Sequence, residues 1–191
     1  MIGLLLVLSA PVSACGGDPT SSGPPTASSA TVSPVVDPTP SPRSSAPASP
    51  LPPAMPAAAR KHTLVGAKAF TRYFVATANY AIANLDPPAL AKLFHPVCAG
   101  CKGALAFIRS VKRRGGDIRG STWSIRSITG KLWLINGEQR VAVIHLRLHV
   151  APETIVIPGK RDVEHHGGKQ ASIINLMPTK SGWKIARLGT Q

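Results

Sequence analysis

"STWSIRSITGKLWLINGEQRVAVIHLRLHV", residues 121–150, decides the fold class. Its first half is rich in β-branched and aromatic residues, which suit a pleated, half-buried surface. The alternation of apolar and polar residues shifts near Ser127, as in a bent or bulged strand. Asn136-Gly137 is a strong signal for a tight hairpin turn. In the returning segment Ala142, Ile144, Leu146, Leu148 and Val150 form one wholly apolar face. Val141, Val143, His145, Arg147 and His149 form the opposite face. Because strand side chains alternate, this hairpin has one core side and one polar side.

Further strands are expected downstream in "ETIVI" (153–157), "KQASIINLM" (169–177) and "GWKIARL" (182–188). They are separated by Pro158-Gly159, by His166-Gly167-Gly168 and by the run from Pro178 to Gly182. Upstream the period changes to that of a helix. Thr63 can cap a helix through "LVGAKAFTRYFVATANYAIANL", in which Phe70, Tyr73, Phe74, Thr77, Tyr80, Ala81 and Asn84 make one stripe. Asp86-Pro87-Pro88 ends it. A short helix "PALAKLF" is expected next, ending at His95-Pro96. A third begins near Cys101, places Leu105, Ile108 and Val111 on one face, and ends at Gly115-Gly116. Helices followed by a strongly bent antiparallel sheet give an α+β domain over residues 57–191, with the helices on one sheet face.

The N-terminal third is of another kind. Residues 2–12 are almost all apolar, a run of about eleven that is too short for a membrane-spanning helix of roughly 20 residues. It fits the apolar core of a signal peptide, although Met1-Ile2-Gly3 lacks the usual preceding basic residue. "VSAC", residues 12–15, resembles a bacterial lipobox, which implies a signal peptide at 1–14 and lipidation of Cys15. Two acyl chains suffice for stable anchoring, at about 0.8 kcal/mol per buried CH₂. From Gly16 to Pro56 the chain is mostly Pro, Ser, Thr and Ala, without period and almost without charge. Residues 15–56 are therefore expected to be a disordered tether. Its reach lies between roughly 35 Å as a coil and about 120 Å fully extended.

Together these features carry a resemblance. The lipobox, the Pro/Ser tether, "MPAAARKHT…GAKAFTRYF", the "VCAGC" motif, the Gly-Gly after the third helix and the terminal "GWKIARL" resemble an actinobacterial family of exported lipoproteins with a domain of unknown function. More broadly the domain is similar to the cone-shaped nuclear-transport-factor-2-like superfamily. The resemblance implies a position on the outer face of the cytoplasmic membrane and brings no established activity.

Cys98 and Cys101 are the only other cysteines. A thioredoxin-like pair would stand at the start of a helix that follows a strand. This pair lies between two helices, ahead of any strand. Zinc would need further ligands, and only His95 is close in sequence. Export to an oxidising space favours a structural disulfide that fixes the turn between the helices.

Catalytic residues are few. Between Ser121 and Val150 the only acid is Glu138, beside the hairpin turn, and Asp162 and Glu164 lie near another turn. Ketosteroid-isomerase-like relatives of the fold use a carboxylate inside the sheet cavity, and no strand here supplies an obvious one. His145, Arg147 and His149 share a face that could bind an anion, or face solvent or a partner. No Ser-His-Asp, Walker or Gly-rich phosphate pattern is present. No catalytic residue, metal or cofactor is assigned.

Charge is the remaining signal. The chain carries a formal +14, and of its 22 Lys and Arg only Arg43 precedes the domain. Lys112-Arg113-Arg114, with Arg119 and Arg126, is the candidate anion-binding cluster. Nucleic acid is not the expected partner of an exported protein. Anionic lipids, wall polymers and acidic proteins are. The expectation is a membrane-tethered, non-enzymatic binding or scaffold domain. The alternatives are a carrier of small molecules or lipids in the cavity between sheet and helices, and a cone-fold enzyme.

Overall fold

A computed structural model describes residues 50–135, 137 and 139–190. The signal peptide, Cys15 and nearly all of the tether lie outside the described residues, as does Glu138. A 3-10 turn, Ala57–Arg60, leads into helices α1 (Leu64–Ala83), α2 (Pro87–Ala91) and α3 (Ala99–Arg113). Seven strands follow: β1 (Asp117–Gly120), β2 (Trp123–Ile135), β3 (Gln139–Val150), β4 (Glu153–Val156), β5 (Val163–His165), β6 (Gly168–Thr179) and β7 (Gly182–Thr190).

Thr63 caps α1 as its position implies, its hydroxyl oxygen accepting from the Gly66 amide at 3.0 Å. The buried stripe centres on Ala67, Phe70, Phe74, Ala78 and Ala81, while Tyr73, Tyr80 and Asn84 sit half-buried on its flanks. Thr71 and Thr77 are fully buried but satisfied, donating to the carbonyls of Ala67 and Tyr73. Asp86 stands at the N-cap position of α2 without a side-chain capping bond, and the first two positions of the helix are prolines. Its carboxylate accepts instead from the Tyr80 hydroxyl at 2.9 Å, which holds that phenol above its ordinary value.

α2 is shorter than expected. Leu93 and Phe94 leave the helix because their backbone is used elsewhere: the Ile185 amide donates to Leu93, and the His95 amide donates to Ile185. A sheet edge would otherwise stand open there. α3 starts earlier than expected, with Cys98 as its capping residue. Gly100 lies where a Cβ would come within 2.9 Å of the Leu188 carbonyl oxygen, so glycine lets α3 approach β7 closely.

The expected single sheet is two. A four-stranded antiparallel sheet runs β2-β3-β6-β7, and a three-stranded one runs β1-β4-β5. The large sheet is bent by bulges between Ile125 and Ser127 and between Asn175 and Leu176. Its concave face supplies Ala142, Ile144, Leu146, Leu148, Ile174, Leu176 and Ile185 to a core closed by α1. Val111, Ile118 and Ile155 make a smaller core under the second sheet. The architecture is α+β, with the helices on one face of a bent antiparallel sheet, as the sequence indicates.

Candidate functional site

Two surfaces of the large sheet carry chemistry. The first is its outer face, opposite the helices. Register fixes which side chains share it: His145 lies between Thr129 and Ile173, Arg147 between Ser127 and Ala171, and His149 between Ser124 and Lys169. The next row towards the hairpin turn reads Lys131, Val143, Asn175 and Arg187. His145 and Arg147 are exposed and His149 is half-buried.

No strand of this sheet contains an Asp or Glu. Its cations are Arg126, Lys131, Arg140, Arg147, Lys169, Lys184 and Arg187. Lys184 donates to the Lys92 carbonyl. Among the described residues the salt bridges are Arg119–Asp117 (3.3 Å) and His165–Glu153 (2.7 Å), and neither involves a cation of this sheet. The described carboxylates, Asp86, Asp117, Glu153, Asp162 and Glu164, all lie on the helical connection, the small sheet or its loop. Among the described residues the acids are therefore segregated from the strands of the large sheet.

The five candidate cations stand on three different elements. Lys112 and Arg113 end α3, and Arg114 caps it, all three exposed. There they also complement the helix dipole. Arg119 lies on β1 and is partly neutralised by Asp117. Arg126 is at the β2 bulge, on the other sheet. The sequence shows these residues as near neighbours, and the bend of the chain distributes them.

The second surface is an apolar cleft between the concave face and the helices. One lobe, about 240 Å³, is lined by Phe74, Ala78, Phe107, Ile108, Trp123 and Leu188 among others. A second, about 340 Å³, shares Phe74, Trp123, Gln170 and Leu188 with it. Few polar groups reach the cleft: Ser121, Glu153 and Gln170 in the first lobe, Gln170, Ser172 and Thr190 in the second. The Glu153 side chain is 19% exposed, and His165 Nδ1 donates to it at 2.7 Å. Ser121, with φ at 58°, is a strained non-glycine residue whose backbone amide donates to the Pro152 carbonyl at 3.1 Å.

Of the candidate pocket or face residues, His145, Arg147 and His149 do not line this cleft and lie on the outer face of the sheet. The alternation of β3 puts them opposite Ile144, Leu146 and Leu148, which fill the core. Cys98 and Cys101 are joined in a disulfide, both buried, with Cα atoms 5.3 Å apart. This is the expected local disulfide, and it closes the first turn of α3, where the chain enters from α2. Glu153 was not singled out from sequence. Its only sign was an acid opening the strand after Pro152.

Several known structures align with this chain at low similarity. The intermembrane-space region of the chloroplast protein ARC6 aligns at 9% identity over 63% of this chain and 93% of its own, with a TM-score of 0.42. A domain of unknown function with a cystatin-like fold from Nostoc punctiforme aligns at 14% over 68% and 78%, with a TM-score of 0.41. An NTF2-like protein with a cystatin-like fold from Novosphingobium aromaticivorans aligns at 16% over 67% and 88%, with a TM-score of 0.35. Likeness at these levels carries no function. Among curated proteins none matches the sequence. The sequence profile of a family of unknown function, DUF6318, matches residues 42–187.

Proposed function

The chain belongs to the DUF6318 family of unknown function, and from that premise we propose that it is a lipid-anchored, non-enzymatic binding domain whose basic sheet face engages an anionic component of the cell envelope. The observation that carries this reading is the large sheet, which has cations on every strand and no carboxylate on any. Uncompensated charge of one sign over a broad surface attracts polyanions and speeds encounter. Cys15 supplies the anchor and the Pro/Ser tract the reach, so the face meets its ligand without diffusing from the membrane.

The reading is tested by binding of the unacylated full-length chain (Cys15→Ser) to anionic vesicles and to cell-wall fractions at low and high salt. Retention at low salt and release at high salt is expected, since exposed charges are screened beyond about 8–10 Å near physiological ionic strength. Equal retention on neutral vesicles at both salt levels counts against it. The anchor has its own test, detergent phase partition of wild type against Cys15→Ala. If both stay in the aqueous phase, the lipoprotein reading fails.

The cleft supports a second reading, a carrier of an apolar small molecule. Concave, mostly apolar spaces with a few polar groups are the usual form of ligand sites. Native mass spectrometry of the purified chain with no co-purified mass, and no saturable uptake of an apolar probe, would remove it.

A further inference from the structure

We propose that the tip of the β2–β3 hairpin is a membrane-inserting wedge that seats the domain on an anionic lipid bilayer. The inference deepens the reading above by naming lipid headgroups as the anionic component. It rests on that reading for its charge attraction but not for its apolar contact.

The tip has an unusual distribution of apolar surface. Trp133, Leu134 and Ile135 are 57%, 62% and 44% exposed. Neighbouring strand residues point to opposite faces. Three consecutive exposed apolar side chains therefore mean that the strand has run clear of the helices and offers apolar surface on both faces. Trp133 pairs with Val141 across the ladder and Leu134 with Arg140. Leu132, one residue earlier, packs against the core. Leu134 is the next residue on that same face and is exposed, so the change from packed to projecting occurs within two residues.

Charge selects the occupant. Lys131 and Arg140 flank the apolar tip, both exposed, and neither strand carries an acid. In sequence Glu138 falls between the two strands, outside the described residues. Trp at the boundary between water and acyl chains, with Lys or Arg beside it, is the side-chain pattern that lipid interfaces favour. Three side chains at a narrow tip offer far less than the roughly 1,000 Å² of buried surface that a specific protein interface needs. A tether of about 35 residues between Cys15 and Pro50 spans roughly 30 Å as a coil and about 110 Å extended. Either length lets the domain lie on the membrane that holds its anchor.

The test uses the full-length chain carrying Cys15→Ser, so that no acyl chain contributes, and vesicles of phosphatidylglycerol and phosphatidylcholine in equal parts. Wild-type tryptophan emission should shift to the blue on binding and be quenched by lipids brominated on the acyl chain. Trp133→Phe should lose most of the quenching while still binding. Trp133→Ser/Leu134→Ser/Ile135→Ser alters only exposed side chains and should keep its circular dichroism spectrum, yet bind at least tenfold more weakly. Quenching that is unchanged in Trp133→Phe overturns the proposal. So does wild-type affinity in the triple variant. If that variant binds normally and salt releases it, the wedge fails and the basic-face reading stands. If no form binds the vesicles while wall fractions are still bound in a salt-sensitive way, the outcome is the same. A blue shift that depends on protein concentration without lipid, and is abolished by Trp133→Ser, identifies a second copy of the chain as the occupant and overturns the lipid assignment.

Discussion

Asn79 and Trp123 are joined by two reciprocal hydrogen bonds. Asn79 Nδ2 donates to the Trp123 carbonyl at 3.0 Å, and the Trp123 amide donates to Asn79 Oδ1 at 2.9 Å. The amide side chain thus does for the start of β2 what a neighbouring strand would do, and it ties α1 to the sheet. The same bonds hold the Trp123 ring against Phe74, with centroids 6.5 Å apart, as a wall of the cleft. Asn79→Ala leaves a half-buried amide and carbonyl without partners. A loss of about 2–3 kcal/mol is expected, read as a lower urea midpoint at unchanged slope. Stability within a few tenths of a kcal/mol of wild type would show that water replaces the side chain at no cost.

The disulfide is a local staple. Cys98 and Cys101 lie within one turn of α3 and both side chains belong to the core. Closing so short a loop contributes about 2 kcal/mol by the chain-entropy account. Cys98→Ala/Cys101→Ala should lower stability by roughly that amount and leave vesicle and wall binding unchanged. Cys98 gives no side-chain hydrogen bond as a helix cap, so no capping energy is lost with it. Intact mass of the exported protein should be two hydrogens below the reduced value. Cysteines that alkylate without prior reduction would refute the staple.

The two groups of cations can be separated by charge reversal. Arg147 and Lys169 lie on the outer face with Ala171 and His149 as their cross-strand neighbours, whereas Lys112 and Arg113 end α3. Arg147→Glu/Lys169→Glu should weaken low-salt association with anionic vesicles at least tenfold, with the difference shrinking as salt rises. Lys112→Glu/Arg113→Glu should have a smaller effect on binding, and it should cost some stability by opposing the helix dipole. The reverse ranking would move the interface from the sheet to the helix end.

What could be read from the sequence follows its periodicities. β3 was legible because five alternate residues are apolar, and the Asn-Gly signal in the sequence pointed to the antiparallel pairing with β2 that the register shows. β1 and β5 were not. β1 buries only Ile118, and the three residues of β5 are all exposed, so neither has a pattern to detect. Both strands exist because β4 lies between them as a template. That pairing also brings His165 to Glu153, twelve residues earlier in the chain. The sequence displayed the excess of positive charge without its disposition. Only the register showed that Lys131 and Arg187 flank the same row, and that Arg119 is held by Asp117. The tip residues carry the pattern of a strand in the sequence, but nothing local to them shows that the helices stop short.

The cleft yields the remaining prediction. Ala104, on α3, lines the first lobe and is half-buried rather than locked in the core. A larger side chain there has open space to occupy, so the usual penalty of overpacking, about 1–3 kcal/mol, should not arise in full. Ala104→Trp should keep the thermal midpoint within a few degrees of wild type. If an apolar fluorescent probe occupies the cleft, the same change should weaken its saturable binding at least fivefold. Arg147→Glu/Lys169→Glu, on the opposite face of the sheet, should leave the probe unaffected. Probe affinity that survives Ala104→Trp but falls with Trp133→Ser would place the probe on the hairpin tip, and the carrier reading would lose its support.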